Sequence, residues 1–127
     1  MIKRKSMVSH KGVPCVYIGI GLENYYGQEL DTIRIKIGLS RDMGNRRRGL
    51  RYDTRYLIET IEECPIPYEL DSHLYDIESQ LHIWLHNAPT ARRPGGETDI
   101  VDYHVAEYLI EQFPYIVRAI ARQYEGA

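Results

Sequence analysis

The chain has 127 residues, 43% apolar and 27% charged, a size and balance that suit one globular domain able to close its core without disulfides or a structural metal. Cys15 and Cys64 stand alone, outside any Cys-x-x-Cys or Cys/His set, which excludes a zinc ribbon or disulfide scaffold and reads as free thiols in a reducing cytosol. The formal net charge of −2 argues against a protein whose whole surface neutralises nucleic-acid phosphates.

Met1 to Lys5 is basic but no long apolar run follows it, so no secretory leader is expected, and no stretch of about eighteen apolar residues could span a bilayer. A cytoplasmic protein with no membrane partner follows. Pro14–Ile20 is short, apolar and β-branched, and Thr32–Gly38 alternates apolar with polar, so both read as strands. Leu22–Asp31, with Tyr25 and Tyr26, reads as a long hairpin loop between them. Ser40 or Asp42 can cap a helix through the arginine cluster to about Leu50, weakened by Gly44 and Gly49. A third strand is expected at Arg55–Ile61, ended by Pro65 and Pro67. From about Asp71 to His86, Leu74, Ile77, Leu81, Trp84 and Leu85 recur at helical spacing. Asn87–Gly96 resembles a linker. The final helical region, about Asp102 to Tyr124, is expected to be divided at Pro114. The order predicts an α+β fold, a small three-stranded antiparallel sheet flanked by helices, with a core over about 14–103 and a helical extension at 104–127.

Charge is distributed unevenly. Residues 1–55 hold twelve Lys/Arg against five Asp/Glu, and residues 56–127 hold four against thirteen. Either the first half carries a polyanion site or the halves interleave and their fields cancel. Six arginines fall within 41–55, among them Arg41, Arg46, Arg47, Arg48 and Arg51. Consecutive helical residues point about 100° apart, so at most two of the central three face one site. One could clamp a scissile phosphate while others touch flanking phosphates; a nucleic-acid-binding or merely solubilising basic helix fits the same residues.

Glu78 and His82, four apart on the long helix, share a face. A lone carboxylate at the edge of a core can hold one magnesium, which keeps most of its waters and takes substrate oxygens; the commoner reading of such residues is a solvated helix glutamate and a packed or solvent-facing histidine. Tyr17 and Lys36 lie on the two adjacent strands. A phenol with reference pKa of about 10 becomes a practicable base beside a cation, although a strand tyrosine is commonly packing.

These pieces, in this order, resemble the GIY-YIG nuclease superfamily. Cys15-Val16-Tyr17 stands where Gly-Ile-Tyr would be, and Lys36-Ile37-Gly38 stands where Tyr-Ile-Gly would be, as in the phage-associated branch with a Lys-Ile-Gly second motif. Arg46 follows at the family's spacing, and Glu78-Ser79-Gln80-Leu81-His82-Ile83-Trp84-Leu85 looks like its Glu-x-x-Leu-His-x-x-Leu helix. The resemblance implies a phage or mobile-element endonuclease that hydrolyses DNA with Mg2+ or Mn2+. By position, Tyr17 would be the general base, Lys36 would assist it, Arg46 would stabilise phosphate charge, and Glu78 would hold the metal. His82 would orient or pack beside Glu78, while Arg41, Arg47, Arg48 and Arg51 would contact DNA. A homo-oligomer or a protein partner would supply specificity. The first motif lacks its glycine and the second its tyrosine, so the alternative is a catalytically weak or inactive module that binds DNA or a protein.

Overall fold

The computed structural model describes Ile2 and residues 11–21, 32–52, 57–88 and 98–126. The expected loop with Tyr25 and Tyr26, Arg55, and most of Asn87–Gly96 lie outside these residues. Strands β1 (Lys11–Gly21) and β2 (Thr32–Asp42) are followed by helix α1 (Met43–Tyr52) and strand β3 (Ile58–Pro65). A 3-10 turn at Tyr68–His73 leads into α2 (Leu74–His86), then β4 (Asp99–Asp102) and α3 (Tyr103–Arg122). The strands form one antiparallel sheet in the order β3-β1-β2-β4.

The fold is α+β, with four strands where the sequence predicts three. The fourth, Asp99-Ile100-Val101-Asp102, is too short to display a period, and it runs directly into a helix. It pairs with Thr32–Ile35 at the start of β2, opposite Val101 to Ile33. The third strand also begins and ends later than expected, at Ile58 and Pro65.

A second correction concerns Pro114, which lies inside a single helix, α3. Proline there forfeits one backbone donor and crowds the preceding turn, at a cost of about 3 kcal/mol. Against that, α3 buries Ala106, Leu109, Ile110, Phe113, Val117, Ile120 and Ala121 on one face. Each larger apolar side chain contributes about 1.5–3 kcal/mol on burial, so tertiary packing outweighs the local penalty.

Strand alternation sorts the core into two layers. Val16, Ile18 and Ile20 of β1 and Ile33, Ile35 and Ile37 of β2 join Leu74, Ile77, Leu81 and Leu85 of α2 and the buried face of α3 in the larger cluster. On the opposite face, Cys15, Tyr17 and Ile58 pack with Met43 and Leu50 of α1 in a second, five-residue cluster. Among the described residues, no helix is long and apolar enough to cross a membrane.

Candidate active site

The β1–β2 register sets Tyr17 opposite Gly38 and Gly19 opposite Lys36. Opposed residues in an antiparallel pair share a face, so Tyr17 and Lys36 are diagonal neighbours. Both are buried. The Tyr17 ring lies directly over Gly38: a Cβ there would sit 2.3 Å from the phenol oxygen and 2.5 Å from its ring carbon. The glycine of Lys36-Ile37-Gly38 is therefore the space into which the Tyr17 ring fits.

Of the two expected caps, Asp42 caps the helix where β2 turns into α1, and the Ser40 bond only closes the turn just before it. Ser40 Oγ accepts from the Asp42 amide at 2.9 Å, and Asp42 Oδ1 accepts from the Asn45 amide at 3.1 Å, satisfying one of the first-turn donors of the helix. Met43 and Leu50 then turn one side of α1 to the sheet. That orientation brings Arg46 Nε to the Tyr17 hydroxyl, to which it donates at 3.1 Å.

Arg47 points to β3, where its Nη1 meets Glu63 Oε1 at 2.6 Å. Thr60 Oγ1 donates to the other Glu63 oxygen at 2.8 Å. Residues three apart on a regular strand face opposite ways. Here the β1–β3 register shifts between Ile18 and Gly19, putting Glu63 opposite Tyr17 and Thr60 opposite Gly19, on one face. Glu63 and Thr60 thus line the Tyr17 site; Glu63 lies beyond the expected strand end at Ile61, and only the register shift sets Thr60 on the same face. The visible signal is the lapse of alternation at Ile61-Glu62-Glu63. Burial, reinforced by the Glu63 carboxylate and opposed by Arg47, pushes the Cys15 thiol up to about 11.

The remaining arginines are engaged or peripheral. Arg51 pairs with Glu59 at 3.1 Å and Arg41 with Asp71 at 2.7 Å, while exposed Arg48 reaches Asn45 Oδ1 at 3.5 Å. Glu59, Glu63 and Asp71 all come from the acidic half of the chain, so the two halves interleave and their charges compensate at three points.

On α2, Glu78 and His82 are both half-buried. Burial is the main cause lowering the His82 pKa; His86 and Lys36 lower it further, and Glu78 and Asp99 act against them. Lys36, Glu78, His86 and Asp99 are therefore all near enough to act on His82 through charge. His86 Nε2 lies 3.1 Å from buried Asp99 Oδ2, off the direction of a hydrogen bond. Close by, Arg34 donates to buried Thr98 at 2.7 Å.

Tyr17, Gly38 and Arg46 thus form one group; Lys36 and Glu78 each act through charge on His82; and strand register makes Lys36 the diagonal neighbour of Tyr17. Among the described residues, no three His, Cys, Asp or Glu side chains are grouped to hold a metal ion. A single carboxylate at Glu78 matches the donor demand of magnesium, which retains several waters and completes its shell with phosphate oxygens. No family model, curated protein or solved structure matches the chain.

Proposed function

We propose that the chain is a divalent-metal-dependent endonuclease of the GIY-YIG type that hydrolyses DNA phosphodiester bonds. The observation that carries this reading is the Arg46–Tyr17 hydrogen bond above Gly38. One strand supplies a phenol, the next supplies the glycine beneath it, and the following helix returns a guanidinium to the phenol oxygen. In this reading Tyr17 takes the proton of the attacking water, and the adjacent cationic Lys36 compensates charge on the phenolate. Arg46 meets charge that grows on the phosphate. Glu78 would hold Mg2+ or Mn2+, which when bound polarises the phosphate and stabilises the leaving oxygen.

Tyr17 is fully buried and Arg46 half-buried, so this chemistry requires the Arg46–Tyr17 bond to open when phosphate engages the guanidinium. The test is nicking of plasmid and single-stranded DNA with magnesium or manganese. Wild type should cut, Glu78→Ala should not, and Arg46→Ala should be slower by about a hundredfold or more. Equal cutting by all three proteins, or none by any, rejects catalysis.

Tyr17 burial and the pairing of Arg41, Arg47 and Arg51 with carboxylates favour a second reading, a module of this fold that binds DNA or a protein partner without cutting. It predicts metal-independent DNA binding with a shallow salt dependence, a log–log slope of about −2 if Arg46 and Arg48 alone meet phosphates. Replacing both by Ala should abolish that binding; unchanged affinity assigns the surface to a protein partner.

A further inference from the structure

The solvent face of α3 has a pattern that burial does not explain. His104, Tyr108, Glu111, Tyr115, Arg118 and Arg122 recur at alternating four- and three-residue spacing, so they form one continuous stripe opposite the buried face. All six are exposed. Tyr108 and Tyr115, each 60% exposed, are among the most exposed large side chains of the described residues. Arg118 lies over the Tyr115 ring, 5.0 Å from its centroid.

Charge along this face is segregated. Glu107 and Glu111 occupy the N-terminal half, and Arg118 and Arg122 the C-terminal half. Helix dipole alone favours that order, by a few tenths of a kcal/mol per charge near the ends. It does not account for two large aromatics on the same line, nor for the spacing. Glu111 with Arg118, and Glu107 with Arg122, are both centred between Pro114 and Tyr115. A two-fold axis through that point sets each glutamate of one copy against an arginine of the other, on both sides. The Tyr115 rings then meet at the axis, where they can exchange contacts with Arg118 across the seam.

We propose that the α3 stripe is a self-complementary interface on which a second copy of this chain docks, its α3 antiparallel to the first about a two-fold axis beside Tyr115. An isologous contact needs such self-complementarity: residue i meets j, and j meets i. The face is polar and one helix wide, so the dimer is of the transient class and weakens as salt rises.

The test is sedimentation equilibrium of the whole protein, without DNA, at rising concentration. Wild type should dimerise. Glu111→Arg sets an arginine of one copy against Arg118 of the other, and Arg118→Glu sets a glutamate against Glu111, so each alone should weaken self-association by about tenfold or more. Mixed, the two variants should associate with each other, and the double variant Glu111→Arg/Arg118→Glu should dimerise again. Circular dichroism of each variant establishes that it is folded. A monomeric wild type, a dimer indifferent to both reversals, or variants that fail to associate on mixing would each overturn the proposal. None of these readouts depends on DNA cleavage, so the dimer and the nuclease stand or fall separately.

Discussion

The two faces of the sheet are held by different physics. Beneath α2 and α3 lies a continuous apolar layer contributed by both helices and all four strands. Beneath α1 there are five buried residues, two of them on the helix, and polar contacts add to its attachment: the Arg46–Tyr17 hydrogen bond and the Arg47–Glu63 and Arg51–Glu59 ion pairs. A ten-residue helix with two glycines is marginal by itself. The α2/α3 face therefore supplies stability, while the α1 face can keep polar groups close together because little else depends on it. Buried polar clusters carry a desolvation cost, so placing Tyr17, Glu63 and Arg47 on the thin face keeps that cluster out of the main core.

The largest expected effect tests the thick face. Phe113, fully buried and 6.4 Å from Trp84 between ring centres, contacts α2 from the middle of α3. Phe113→Ala should cost about 3–5 kcal/mol, read as a lowered urea midpoint. A loss under about 1 kcal/mol would mean that α3 is not part of the stabilising layer.

On the thin face, the two ion pairs should behave unequally. The Glu63 side chain is only 4% exposed, so Arg47→Ala leaves a buried, partly uncompensated carboxylate and should cost about 3 kcal/mol. Arg51→Ala removes a pair whose arginine is 41% exposed and should cost less than about 1 kcal/mol. Similar losses in both would show that α1 is held by helix charge in general and not by the buried pair. Arg47→Met combined with Glu63→Leu should recover most of the stability, since an apolar pair of similar size avoids the desolvation cost.

Gly38→Ala should cost about 1–3 kcal/mol, because the added methyl overlaps the Tyr17 ring. The displaced phenol should also lose Arg46. Tyr17→Ala makes room for the methyl, so in that background Gly38→Ala should be nearly neutral. Additive losses would show that some other neighbour occupies the space above Gly38.

How much of this was legible in the sequence depends on the length of the signal. The 13-residue helix α2 announces itself through Leu74, Ile77, Leu81 and Leu85, and the β1–β2 pair through its β-branched alternation. Four-residue β4 does not, since Asp99-Ile100-Val101-Asp102 offers a single alternation. Pro114 misleads because its local cost is visible while the apolar face that outweighs it must be counted across the whole helix. For the site, Tyr17, Gly38 and Arg46 could be read together because they lie on consecutive elements. Glu63 could not, because a register shift decides its face. Nor could the fate of the arginines: Arg47, Arg51 and Arg41 look like a basic patch until the fold brings Glu63, Glu59 and Asp71 to them.

Proton linkage offers the gentlest way to separate the faces, because His82 on one and Cys15 on the other are displaced in pKa. His82, on the α2 side, has its pKa lowered mainly by burial. As pH falls through about 6.5, the unfolded chain takes up this proton before the native one does. Stability should therefore decline below that pH until the native imidazole also titrates. Cys15, on the α1 side, is displaced upward, from 9.0 to about 11. As pH rises through 9.0, the unfolded thiol ionises first, so stability should decline until about pH 11 and then level. Each limb has a slope of at most about 1.4 kcal/mol per pH unit, the value for one proton. Urea midpoints across pH should show His82→Gln flattening only the acid limb and Cys15→Ala only the alkaline one. If Cys15→Ala leaves the alkaline limb intact, the thiol is not the group that titrates, and the α1 face is less sealed than its five buried residues indicate.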